Sequence, residues 1–174
     1  LLRVALLYAY GGVWLDSTIV LTAPLPLRYL NEEIFMFSRD TASLNKELWG
    51  SNHTYFDWST QSQVRHLNSL MIGQRGSAQL KLLQDLLLAY WQGENSAGHY
   101  FFFQILCHHL LVKKRALMQM PIVDDTLPHI LSLIIDKELN AEQMEDIFLL
   151  SGIHKLSYAN ALNKYINGFE TNFI

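Results

Sequence analysis

Apolar residues at positions 2, 5, 6 and 9 of the run Leu2 to Tyr10 recur at helical spacing, which predicts a helix that buries that face. Gly11 and Gly12 end it, because glycine accepts the left-handed backbone that a helix C-terminus commonly needs. The period then shortens. Val13-Trp14-Leu15 reads as a short buried strand and Ile19 to Thr22 as another, with Asp16-Ser17-Thr18 turning between them. Pro24 and Pro26 close the second strand, and Glu33 to Ser38 forms a further one that Arg39-Asp40 ends. Residues 41–63 have no period and read as a long loop. Leu70-Met71-Ile72 is the next strand, followed by a helix from about Ser77 to Gln92 that is apolar on nearly every side and so expected to be buried on several faces. Residues 97–113 predict another helix, and Asn140-Ala141-Glu142-Gln143 has the capping-box pattern that starts a last one, ended by Gly152. Interleaved helices and strands define an α/β chain.

Asp16 is the first chemically informative position. It falls at a strand end, the usual place for a ligand-facing acid in an open sheet, and its carboxylate suits a hard cation such as Mn²⁺ or Mg²⁺. Capping the turn made with Ser17 and Thr18 is the plainer use of the same residue. Trp49, Tyr55, Phe56 and Trp58 in the long loop would either stack on a sugar or base or pack the loop down. Asn52-His53-Thr54 has the pattern of a glycosylation sequon. His108-His109 sits on a helix, where neighbours cannot share one face, and Lys113-Lys114-Arg115 complements the negative end of that helix.

These residues together carry a resemblance. The stretch Arg3 to Pro26 resembles the sugar-binding region of nucleotide-sugar glycosyltransferases of the GT-A fold, and most closely the capsular polysaccharide synthesis group. An arginine in a leucine-rich helix precedes a Gly-Gly turn and then an acidic metal motif, as Arg3, Gly11-Gly12 and Asp16 do here. The likeness continues through Asn68 to Gly73, Tyr90-Trp91 and Tyr100-Phe101, and ends at His154-Lys155-Leu156-Ser157-Tyr158. The wider superfamily has Asp-x-Asp where this chain has Asp16-Ser17-Thr18; the capsule group resembles Asp-x-Thr. His99 occupies a slot where relatives often carry an acid.

The resemblance implies a single GT-A-like domain over residues 1–174 that moves a sugar from a nucleotide diphosphate to a hydroxyl of a glycan or lipid-linked glycan, in capsular or other surface polysaccharide synthesis. In that reading Asp16, Thr18 and His154 hold a divalent Mn or Mg ion, and Asp16 and Lys155 are the catalytic pair, with Lys155 neutralising the leaving diphosphate. Arg3, Gly11, Gly12 and Asn68 contact the donor. The rival reading is a non-catalytic remnant that binds a glycan or nucleotide sugar.

Composition narrows the alternatives. A chain of 174 residues, half of them hydrophobic, buries a sizeable core. A formal net charge of −3 and the lack of a basic stripe argue against nucleic acid. The single Cys107 has no internal disulfide partner, and no apolar run approaches the roughly 20 residues that span a bilayer. The expected location is cytoplasmic, with peripheral membrane attachment as the variant. Leu1 lies inside the first helix, so the GT-A reading expects the β-α-β units that bind base and ribose to be missing at the N-terminal side.

Overall fold

The computed structural model describes residues 1–43, 46–49, 55–59, 61–134 and 140–157. Helix α1 (Leu2–Tyr10) runs into strand β1 (Gly12–Leu15), and β2 (Ile19–Leu21) precedes the short α2 (Leu27–Leu30) and β3 (Ile34–Ser38). Then come β4 (His66–Gly73), α3 (Ala78–Gly93), α4 (Phe102–Lys113), α5 (Ile130–Ile134), α6 (Ala141–Leu150) and β5 (Ile153–Lys155). The architecture is α/β, with a three-stranded sheet in the order β1-β4-β3 and a separate two-stranded ladder of β2 and β5. Both described strand pairings, β3 with β4 and β2 with β5, are antiparallel.

The chain divides into two compact units. The first comprises Leu1–Trp14 and Pro26–Asp125, the second Leu15–Leu25 and Thr126–Ile174. In the first, all five residues of β3 are buried, as expected of a strand covered on both sides and written as an apolar run. Met36, Met71, Leu80, Leu83, Leu87, Cys107 and Leu110 form its core with Val4 and Leu7 of α1. Phe35 pairs with Ile72 but Phe37 with Leu67, so the register shifts and Asn68 lies in the irregular stretch of β4. In the second unit, Leu131, Ile147 and Leu156 pack with Val20, Ile134, Met144 and Phe148.

Local signals explain most element ends. Gly11 has φ 71° and its N–H returns to Leu7, closing α1. A Cβ there would lie 2.8 Å from the Arg75 backbone nitrogen, so both conformation and space demand glycine. Ser77 caps α3 by accepting from Leu80 N–H, and the Asn140–Gln143 box is complete in both directions.

Several expectations are corrected. The face of α1 that is buried carries Val4 and Leu7, whereas Leu2 and Leu6 are exposed; a helix this apolar does not reveal by periodicity which stripe faces the core. Strand β1 is mostly exposed rather than buried, because it lies at one edge of the sheet order. Helix α3 buries Leu80, Leu83 and Leu87 along one stripe and leaves Leu88 and Trp91 exposed. Helix α4 begins at Phe102, later than the pattern suggested, and α6 ends at Leu150 with Ser151 as its cap. No helix among the described residues is long and apolar enough to cross a membrane.

Candidate functional site

The second unit holds the acid and the late His-Lys pair. Asp16 lies just beyond β1, where its carbonyl accepts from Ile19 N–H at 2.9 Å, a tight turn that delivers the chain into β2. The β2–β5 register pairs Ile19 with Lys155, Val20 with His154 and Leu21 with Ile153. Thr18 continues the ladder, its carbonyl accepting from Leu156 N–H at 2.9 Å. Asp16 therefore sits at the mouth of the ladder, near Lys155.

Lys155 is half-buried and donates from Nζ to the Leu156 carbonyl at 2.6 Å. Burial pulls its pKa below the ordinary lysine value, and the negative charge of Asp16 opposes that shift. The two side chains thus feel each other electrostatically across the turn. An ammonium part-withdrawn from water interacts more strongly with the charges around it, because desolvation strengthens every charge interaction it makes.

His154 behaves differently. It is fully buried, its Nε2 lies 2.9 Å from the Thr22 hydroxyl, and its ring packs 5.3 Å from that of Phe148. Burial depresses its pKa to about 4, which keeps the imidazole neutral. Successive residues of a strand project to opposite sides, so His154 and Lys155 do not face one ligand together. Thr18 is also buried, with 6% of its surface exposed. Of the three residues expected to hold a cation, Asp16 presents a half-exposed carboxylate while the other two are enclosed. Among the described residues no three His, Cys, Asp or Glu side chains converge on one point. The described residues thus offer a cation one half-exposed carboxylate here rather than a set of converging protein ligands.

The first unit holds the other candidates and joins two of them. Arg3 donates from Nη1 to the Asn68 carbonyl at 2.5 Å across 65 residues, and its guanidinium lies 5.5 Å from the centre of the Trp14 ring. The Asn68 side-chain oxygen accepts from Gln104 Nε2 at 3.2 Å. The pairing orients the Asn68 amide, and Gln104, 7% exposed on α4, is a polar residue that reading the sequence missed. A lone Gln within the apolar run Phe101 to Leu111 was its one available signal. Gly11 is explained by the fold, as above; Gly12, at φ 99°, has nothing within 4 Å of the position a Cβ would take.

The loop aromatics serve the structure. Trp49 and Phe56 stack at 4.0 Å between centroids, and both are buried. Tyr55, Phe56 and Trp58 surround the Arg39 guanidinium at 5.2, 4.5 and 5.1 Å. Arg39 makes a two-pronged ion pair with Asp125 at 2.8 Å for each bond, with both side chains at 0% exposure. Nothing local in the sequence announces that pair. Tyr100 is almost wholly exposed, and His99 accepts from Phe101 N–H, which makes it a turn residue. The Asn52-His53-Thr54 pattern and Tyr158 lie outside the described residues.

The family model of the capsular polysaccharide synthesis proteins matches residues 1–172, and the chain belongs to that family. No curated protein and no solved structure matches it.

Proposed function

We propose that the chain is the sugar-transfer domain of a surface-polysaccharide synthase, of GT-A type, taking a sugar from a nucleotide diphosphate and passing it to a glycan hydroxyl. Membership of the capsular polysaccharide synthesis family supports a role in making such a polymer. The observation that carries the chemistry is the approach of Lys155 to Asp16 at the β2–β5 ladder.

Departure of a diphosphate builds negative charge on oxygen, and preorganised positive charge lowers the barrier most when water is scarce. Half-buried Lys155 meets that need. Asp16 opposes the pull of burial on the Lys155 charge, and its half-exposed carboxylate would hold a Mn or Mg ion arriving with the donor. A divalent ion, when bound, neutralises phosphate oxygens and polarises the bond to the leaving group. Within the first unit, Arg3 and Asn68 are proposed as contacts for sugar hydroxyls, with Gln104 positioning the Asn68 amide. A side-chain amide suits this task because it donates and accepts at once.

The test is release of nucleoside diphosphate from a panel of nucleotide sugars, with and without MnCl₂ and with a crude capsule-oligosaccharide acceptor. Lys155→Ala should lower turnover by about 100-fold, the scale for loss of one charge stabiliser. Turnover in that variant equal to the parent's removes Lys155 from the reaction, and no release from any donor favours the non-catalytic binding reading.

A further inference from the structure

A cavity of about 250 Å³ lies within the first unit, lined by Gln61, Gln63, His108, His109, Val112 and Lys113. One wall is the loop before β4, the other the C-terminal half of α4. The loop is held in shape by Arg65, whose Nε donates to the Ser62 carbonyl at 3.0 Å and whose Nη2 donates to that of Ser59 at 2.7 Å. Ser62 is tucked inward while Gln61 and Gln63 stay exposed toward the cavity. Behind His108, with ring centroids 6.3 Å apart, is the buried His66, whose Nδ1 lies 3.0 Å from the Ser38 hydroxyl. Its Nε2 is buried and has no hydrogen-bond partner.

The charge of these walls is one-sided. No Asp or Glu occurs from Trp58 to Gln84 or from Asn95 to Val123, although the chain as a whole carries a net charge of −3. The same segments supply Arg65 and Lys113-Lys114-Arg115. Burial first, and then the Arg65 charge, hold His108 below the ordinary histidine pKa, which places that guanidinium within electrostatic reach of the cavity. Two carboxamides, two imidazoles and an ammonium present N–H donors, and none of the lining residues is a carboxylate; the nearest acid along the chain, Asp57, interacts with Arg65 and offsets part of its charge. The negative end of α4 works against an anion here, so the basic side chains must outweigh it.

From this we infer that the cavity is an anion subsite that takes the carboxylate or phosphate group of a charged sugar unit, with Lys113 as its principal cation and the Gln61 and Gln63 amides as hydroxyl and oxyanion donors. Its volume admits one pyranose ring with its substituent. The sugar part rests on the glycan-transfer reading; the anion part does not.

The test follows the histidine ring protons by NMR in the intact protein, at constant ionic strength, while sodium glucuronate, glucose 1-phosphate or neutral glucose is added to roughly 10 mM, ten times a millimolar Kd. One of the two charged sugars should shift the His108 and His109 signals saturably, and the one that does identifies the anion as carboxylate or phosphate. Glucose should leave them in place. Lys113→Ala and Gln61→Ala alter exposed side chains, and Lys113→Ala should weaken binding about tenfold, as loss of a charge-assisted contact does. No saturable shift with either charged sugar, an equal shift with glucose, or unchanged affinity in Lys113→Ala would overturn the proposal. Because the readout is binding and not transfer, a silent cavity in a protein that still releases nucleoside diphosphate refutes this inference alone.

Discussion

Replacing Arg39 by Met tests how the first unit is held together. Arg39 and Asp125 are both enclosed and joined by two bonds of 2.8 Å, and Arg39 Nη1 also donates to the Tyr55 and Asp57 carbonyls at 3.2 and 3.3 Å. Removing one partner of such a pair strands the other charge in a low-dielectric interior, which costs about 3–5 kcal/mol. Burial already pushes the Asp125 pKa up, and the Tyr55 hydroxyl also bonds its carboxylate. Without Arg39 the acid takes up a proton and keeps that bond, so the loss should lie near the lower end, about 3 kcal/mol. At about 2–4 °C per kcal/mol for a chain of this size, the midpoint should fall by roughly 6–12 °C. Thermal unfolding followed by circular dichroism measures it. The double variant Arg39→Met/Asp125→Leu should recover most of the loss, because no buried charge then remains. A single variant within about 2 °C of the parent, or a double variant no better than the single, refutes the reasoning.

Two further predictions rest on equally local features. His66 and His154 are buried with folded-state pKa values of about 3 and about 4, below the ordinary 6.5, so each binds its proton more readily when unfolded. Their contribution to stability is therefore complete above pH 6.5 and is lost as pH falls below it, by up to about 1.4 kcal/mol per unit for each histidine; urea titrations at pH 7.5 and 5 should show the drop, and His154→Gln should reduce it. Gly11→Ala should destabilise by about 2 kcal/mol or more, since strain and a clash combine, whereas Gly12→Ala should cost only the strain, about 1 kcal/mol; equal effects in urea denaturation would contradict the packing against Arg75.

Features signalled by one or two neighbouring residues were legible in the sequence. Gly11 marked the end of α1, Ser77 the start of α3, and Asn140 with Gln143 the start of α6, because each satisfies backbone groups within its own turn. The buried stripe of α1 was not legible, since Val4, Leu6 and Leu7 are equally apolar and only the partner elements choose among them. Strand β5 was missed because three residues reading Ile-His-Lys carry no alternation long enough to count. Arg39 meets Asp125 across 86 residues, a pairing made by topology alone. The same contrast holds at the candidate site. Arg3 and Asn68, chosen separately, prove to touch, whereas His154 and Lys155, chosen as a pair, are parted by the alternation of the strand that carries them.

In the proposed reaction the Asp16–Lys155 turn receives a nucleoside diphosphate. Calorimetric titration of the protein with UDP, GDP, dTDP and CDP, each with and without MnCl₂, tests it most directly. The parent should bind one of them, more tightly with Mn²⁺. Lys155→Ala should weaken that binding about tenfold or more in either condition, and Asp16→Asn should abolish the gain from Mn²⁺ while its melting temperature stays within a few degrees. Parent-like binding and Mn²⁺ response in both variants would contradict the account and return Asp16 to the role of a turn residue.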